Sequence, residues 1–223
     1  MSAIWHTFDT PAAQATALAD AIAGWLQTAI ERDGTAALAV SGGKSPIALF
    51  EALAQTDLDW SRVTVTLVDE RIVPAGHPDS NARLVREHLL VGRAAAARFV
   101  PLVTDPADPE SDLERLEHAL PKLTVAVLGM GEDGHTASLF PDAAGLAEGL
   151  APDSRHRIIA ITPPNAPHRR LTLTLAELAR AEARLLAIGG QAKRAVATIA
   201  ESDAQHYPVG AFFALPLTVY WSP

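Results

Sequence analysis

His135 carries the side-chain type whose ordinary titration falls near neutrality, and it stands in an unusual setting: Leu128-Gly129-Met130-Gly131-Glu132-Asp133-Gly134-His135-Thr136-Ala137-Ser138-Leu139-Phe140-Pro141. An imidazole there can take a proton from water and return it to a leaving group. Asp133, two residues earlier, can orient the ring or shape the loop. The three glycines let the backbone turn with positive φ and let another group approach without a Cβ in the way. Before them, the apolar run Leu123 to Leu128 has the pattern of a buried strand. Thr136 or Ser138 is placed to cap a short following helix. A glycine loop at the carboxyl end of a parallel strand is where open α/β sheets hold ligands, so this stretch reads as a site.

A second candidate follows the apolar run Ala36 to Val40. Ser41-Gly42-Gly43-Lys44-Ser45-Pro46 leads into the helical pattern Ile47 to Ala54. Strand, glycine turn and helix together present backbone N–H groups and the positive end of a helix dipole to an anion. The spacing is not that of a P-loop, which argues against nucleotide binding. Charges also cluster after other buried runs. Asp69-Glu70-Arg71 follows Val63 to Val68; Ser80-Asn81 opens a helix to about Leu90, with Asn81 able to cap. Pro163, Pro164 and Pro167 stiffen a turn that presents His168, Arg169 and Arg170 ahead of the strand-like Leu171-Thr172-Leu173-Thr174. Gly189-Gly190-Gln191-Ala192-Lys193 turns from the run Arg184 to Ile188 into a helix ending near Glu201.

The elements that must position these residues alternate. Thr10 to Ile30 has apolar residues at three- and four-residue spacing and predicts an amphipathic helix. Further strands are expected at Phe99 to Val103, Arg157 to Ile161 and Leu217 to Tyr220, and a helix at Glu110 to Ala119. Strand–helix alternation with glycine turns after at least three strands predicts a mostly parallel, Rossmann-like α/β sheet covered by helices on both faces. With no linker, residues 1–223 are read as a single α/β domain. The composition, 48% hydrophobic but only 5% aromatic, suits helices on a sheet more than an all-β sandwich.

Charge narrows the partners. Twenty-six acidic against eighteen basic residues give a net charge of −8, which opposes nucleic acid and anionic membranes, so a phosphorylated ligand requires a local basic pocket. Cysteine is absent, which removes thiolate chemistry and disulfides. No basic segment leads an apolar core at the N-terminus, and no apolar run reaches the roughly 18 residues of a membrane span, so a cytoplasmic location is expected. No His-Glu-x-x-His or comparable zinc pattern is present, and neither a metal nor a cofactor is expected.

The fourteen-residue string around His135 resembles the hallmark segment of the 6-phosphogluconolactonase family. Four more segments agree with that family in the same order: Ser41-Gly42-Gly43-Lys44-Ser45-Pro46; Asp69 to Pro74 with Ser80-Asn81; Pro167 to Thr174, which places the family's arginine at Arg170; and Gly190 to Lys193. The related glucosamine-6-phosphate deaminases share the Gly-x-Asp-Gly-His part but continue differently after it. The resemblance implies the fold common to both groups and the hydrolysis of 6-phospho-D-glucono-1,5-lactone to 6-phosphogluconate, the second step of the oxidative pentose phosphate pathway. It implies His135 as general base with Asp133 beside it. It also implies a substrate and phosphate site drawn from Ser41, Gly42, Gly43, Lys44, Arg71, Asn81, Arg170 and Lys193. The alternatives are a deaminase-isomerase acting on glucosamine 6-phosphate and a sugar-phosphate sensor without turnover. Nothing in the sequence specifies an oligomeric partner.

Overall fold

In the computed structural model, which describes residues 3–203 and 205–223, the chain forms ten strands and eight α-helices. In chain order the strands are β1 (Ile4–Thr7), β2 (Ala36–Val40), β3 (Val63–Leu67), β4 (Asp69–Arg71), β5 (Arg98–Val100), β6 (Val125–Leu128), β7 (Ile158–Ile161), β8 (Arg170–Leu173), β9 (Ala183–Gly189) and β10 (Thr218–Ser222). The helices are α1 (Pro11–Asp33), α2 (Ile47–Ala54), α3 (Asn81–His88), α4 (Pro109–Ala119), α5 (Leu146–Gly149), α6 (Leu175–Ala179), α7 (Gln191–Ser202) and α8 (Gly210–Phe213). Seven strands make one sheet in the order β1-β10-β9-β6-β2-β3-β5, and every pairing in it is parallel.

Each residue of β2 and β6 is buried, as expected for central strands covered on both faces. The crossover from β2 through α2 to β3 runs toward one edge, and the crossover from β9 through α7 to β10 runs toward the other. Right-handed crossovers in opposite directions place their helices on opposite faces. Accordingly α1 packs on α2, and α7 packs on α8. The amphipathic reading of α1 holds: Ala15, Leu18, Ala19, Ile22, Leu26 and Ala29 are all buried. Thr10 caps it by accepting the Ala13 N–H at 3.2 Å, and Pro11 sits in the first turn, where its missing N–H removes no intrahelical bond.

Strand β1 has no counterpart in the sequence expectation, and three further features depart from it. The charges after β3 belong to a strand of their own: β4 pairs antiparallel with β8, and β8 with β7, in a second sheet. The transfer occurs at Val68, whose N–H donates to Val40 O in the main sheet and whose carbonyl accepts from Leu173 N in the second. The strand expected at Phe99 to Val103 is shorter and earlier, at Arg98–Val100. No helix begins at Thr136 or Ser138; the next is α5. The Thr136 hydroxyl donates instead to Gly129 O at 2.8 Å, and Leu139 N returns to Thr136 O, closing a tight turn.

Strand order reverses at β2, since β3 lies on one side of it and β6 on the other. At such a switch point the loops leaving two neighbouring strands diverge and open a crevice. Here the loops are 41–46 and 129–135.

Candidate active site

The crevice is a cavity of about 540 Å³ walled by both loops, the first turns of α1, the ends of β4 and β8, and the start of α7. Its base is sewn together by Ser41. The Ser41 hydroxyl donates to Val127 O at 3.0 Å and accepts the Gly129 N–H at 3.0 Å, so it bridges the ends of β2 and β6. Gly42 is required by contact: a Cβ there would overlap the Asn81 side-chain amide.

On one wall stands His135. Its Nδ1 is 2.5 Å from Asp133 Oδ1, and the same carboxylate oxygen accepts the His135 backbone N–H at 3.2 Å. A carboxylate at Nδ1 selects the tautomer with hydrogen on Nδ1, leaving the lone pair of Nε2 free. The ring stacks on Phe140 with centroids 4.1 Å apart. Gly131 N donates to His135 O, and a Cβ on Gly131 would strike the imidazole and the Asp133 carboxylate, so this glycine is needed for the ring to sit where it does.

The other wall is cationic. Arg71 and Arg170 are direct partners across the β4–β8 pair. Like charges directly opposite one another in a sheet are destabilising. Both also carry a buried Nε with no hydrogen-bond partner among the described residues. Arg71 Nη1 donates to Asp79 O at 2.6 Å, and Arg170 Nη2 to Pro167 O at 3.3 Å. The Arg170 guanidinium lies 4.8 Å from the centroid of Phe140, the ring that also holds His135. Burial pulls the Arg170 pKa down from its ordinary value, with Asp69 acting against that and Arg71 adding to it. An arginine keeps its charge regardless, so two cations, Arg170 buried and Arg71 half-buried, face the cavity.

A carboxylate behind this wall fixes it. Glu70 is 1% exposed; its Oε1 accepts the N–H groups of Arg71 and Asn81, each at 2.8 Å, while Oε2 accepts the Ala82 N–H at 2.7 Å and the Ser80 hydroxyl at 3.1 Å. Glu70 thereby ties β4 to the N-terminus of α3, where a negative charge also meets the positive end of the helix dipole. Burial pushes its pKa up, opposed by the three backbone donors. Asn81 is held at both ends, its Nδ2 donating to Asp69 O at 2.9 Å. Asp69 Oδ2 in turn accepts from Ser138 Oγ at 2.5 Å, joining the second sheet to the His135 loop.

Ser41, Gly42, Gly43, Arg71, Asn81, His135, Arg170 and Lys193 thus border one cavity. Asp133 stands behind the imidazole and borders a smaller hollow with Phe140 and Pro141. Lys44 is exposed and does not line the cavity. Sequence reasoning assigned no individual role to Glu70, Asp69 or Phe140 and offered Ser138 only as a helix cap. The signal for Phe140 lay within the His135 string; Glu70 and Asp69 read only as part of a charge cluster after a buried run, because nothing local tells a buried helix-capping carboxylate from an exposed one.

Residues 9–221 match the family described as glucosamine-6-phosphate isomerases/6-phosphogluconolactonase. The 6-phosphogluconolactonase of Pseudomonas aeruginosa is 50% identical over 224 aligned residues, covering 98% of this chain and 94% of that protein. The crystal structure of a 6-phosphogluconolactonase from Shewanella baltica superposes with a TM-score of 0.93 at 39% identity, covering 99% of this chain and 98% of the other. That of a putative 6-phosphogluconolactonase from Neisseria gonorrhoeae gives 0.92 at 40%, covering 99% of each chain. Sequence motifs, sheet order and these likenesses agree, and the chain belongs to the glucosamine-6-phosphate isomerase/6-phosphogluconolactonase family.

Proposed function

We propose that this chain hydrolyses 6-phospho-D-glucono-1,5-lactone to 6-phospho-D-gluconate, the second step of the oxidative pentose phosphate pathway, as a cytoplasmic carboxylic ester hydrolase. The observation that carries this reading is the shared cavity: a carboxylate-oriented imidazole on one wall and two arginines with spare donors on the other, linked through Phe140.

In the proposed mechanism the phosphate docks between Arg71 and Arg170, whose guanidinium groups line the cavity and supply charge-assisted hydrogen bonds. Binding an anion there also removes the repulsion between the paired arginines. Lys193, half-buried in the first turn of α7, adds a point charge. With the phosphate fixed, the lactone carbonyl is held near His135, which converts a bimolecular encounter into a positioned attack. His135 Nε2 takes a proton from water as the water oxygen bonds to the carbonyl carbon. The tetrahedral oxyanion then collapses, the ring C–O bond breaks, and the imidazolium returns the proton to the departing ring oxygen. Asp133 stabilises the imidazolium. For the oxyanion, Gly129 N–H is already used by Ser41 and Gly131 N–H by His135 O, whereas the N–H groups of Met130, Gly42 and Gly43 have no partner among the described residues. Those three are the proposed donors. Ser41, whose proton is committed to Val127 O, contributes chiefly by holding the two loops together. A δ-lactone is an activated ester, so the reaction requires no side-chain nucleophile.

A deaminase-isomerase would need an acid near the positions held by Leu139 and Phe140, both buried and apolar. The deciding experiment offers purified protein both substrates. Lactone hydrolysis well above the spontaneous rate, without ammonia release from glucosamine 6-phosphate, is expected. Ammonia release, or no acceleration of lactone opening, would overturn the assignment.

A further inference from the structure

Outside the cavity lining, three metal-ligating side chains meet where the connection between β4 and α3 faces the proline turn before β8. His168 Nε2 is 2.9 Å from Asp79 Oδ2, and His77 Nδ1 is 3.8 Å from the same oxygen. One ligand atom from each residue lies within 4.8 Å of the other two. His168 adopts φ 70°, a left-handed conformation that costs a non-glycine residue about 1–2 kcal/mol, and its imidazole bonds to Asp79 across the turn.

We propose that His77, Asp79 and His168 form a binding site for one divalent ion of the zinc class, with water completing a four-coordinate shell. Bonds of about 2.0–2.1 Å in a tetrahedral shell separate neighbouring ligand atoms by roughly 3.4 Å. The observed 2.9 and 3.8 Å lie on either side of that separation, so small side-chain rotations suffice. Two imidazoles and a single carboxylate suit zinc, cobalt or nickel; calcium and magnesium demand more oxygen ligands than this trio offers. All three side chains are partly exposed, which leaves an entry path and room for water.

The surrounding bonds are compatible with an ion. Asp79 is exposed, and an aspartate is ionised at neutral pH, so it meets a cation as a carboxylate. Arg71 is bound to the Asp79 backbone carbonyl, not to its side chain, and need not move. An ion would replace the His168 Nε2–Asp79 Oδ2 bond and displace the Asp79 N–H to His77 Nδ1 bond at 3.1 Å, whose exposed N–H can turn to solvent. The positive charge of Arg71 weakens the site without closing it. An ion here would staple together the segments that carry Arg71 and Arg170. The proposal stands apart from the reaction assigned above.

The test titrates the full chain with Zn²⁺ by calorimetry and with Co²⁺ by visible absorption, for the unaltered protein, His168→Ala, His77→Ala/His168→Ala and His135→Ala, with circular dichroism confirming that each is folded. One saturable equivalent with the d–d spectrum of tetrahedral cobalt is expected. Affinity should fall at least tenfold in His168→Ala, further in the double variant, and stay unchanged in His135→Ala. No saturable uptake, equal affinity in the double variant, or loss of binding in His135→Ala would each overturn the site; the last would put the ion beside the catalytic imidazole.

Discussion

The two walls of the cavity are built on opposite plans. The cationic wall is made of strand residues, Arg170 buried and Arg71 half-buried, held by a carboxylate with four donors and left with an internal conflict between paired arginines. The imidazole wall is a glycine loop whose ring and carboxylate are partly exposed and held by a short local bond and a stacked phenylalanine. Binding is thereby assigned to the more heavily hydrogen-bonded part of the molecule, and proton transfer to the part that can reach water. Substituting the imidazole wall should therefore spare substrate affinity, and substituting the cationic wall should spare turnover.

The largest effect is expected at His135. His135→Ala should lower kcat by roughly 10²–10⁴, the usual share of a positioned general base, while KM changes little. Initial rates of lactone opening, corrected for spontaneous hydrolysis, measure it. An unchanged kcat would remove His135 from the role of base and erase the contrast between the walls.

Next comes the arginine pair. Arg71→Met or Arg170→Met should raise KM by roughly 10- to 100-fold, since a hydrogen bond to a charged group contributes about 1.5–3 kcal/mol, with kcat within a few-fold. The contrast sharpens if stability is measured as well. Removing one of two opposed cations relieves repulsion, so the unfolding free energy of the ligand-free protein should fall by less than about 1 kcal/mol, or rise. Indifference of KM in both variants would place the phosphate elsewhere.

Glu70 tests whether rigidity behind the cationic wall matters. Glu70→Gln keeps one acceptor oxygen but turns an NH₂ group toward donors, and should cost about 1–3 kcal/mol of stability. Its pH dependence has a definite sign. Because burial raises the folded pKa of Glu70, its contribution is full below the ordinary carboxylate value of about 4.3 and is lost as pH rises through the raised value. Urea unfolding across pH should therefore show a decline in this interval for the unaltered protein that is flatter in Glu70→Gln. An equally steep decline in the variant would assign it to another group.

What the sequence made legible follows the same division. Glycine turns after β2 and β6 are local signals, because backbone freedom and apolar runs are written in consecutive residues, and they located the imidazole wall and the floor of the cavity. The cationic wall depends on pairing between residues 71 and 170, about a hundred positions apart, and no periodicity within Asp69-Glu70-Arg71 distinguishes a three-residue strand from a charged turn. Likeness to known motifs, not pattern, brought Arg71 and Arg170 forward. Edge strand β1 escaped for a related reason: Ile4–Thr7 is mostly exposed and lacks the alternation of a half-buried strand, so its only cue is the neighbouring β10. Thr136 and Ser138 have the chemistry of helix caps, but the carbonyl of Gly129 and the carboxylate of Asp69 were stronger partners.

The smallest effect separates two lysines that the sequence treats alike. Lys193 is half-buried on the cavity wall, while Lys44 is exposed and off it, although Lys44 adjoins the glycines of the anion-binding loop. An exposed ammonium is screened by water and salt, and its removal usually changes free energies by no more than about 0.5 kcal/mol, roughly a twofold effect. Lys44→Ala should therefore leave KM within about twofold, because the loop offers an anion its backbone N–H groups, which the substitution retains. Lys193→Ala should raise KM several-fold, and because salt screens the exposed Lys44 charge first, moderate salt should erase the Lys44→Ala effect while leaving most of the Lys193→Ala effect. Equal KM values for Lys44→Ala and Lys193→Ala would show that proximity along the chain outweighs placement on the wall, and would extend the cationic surface beyond the buried strands to the loop itself.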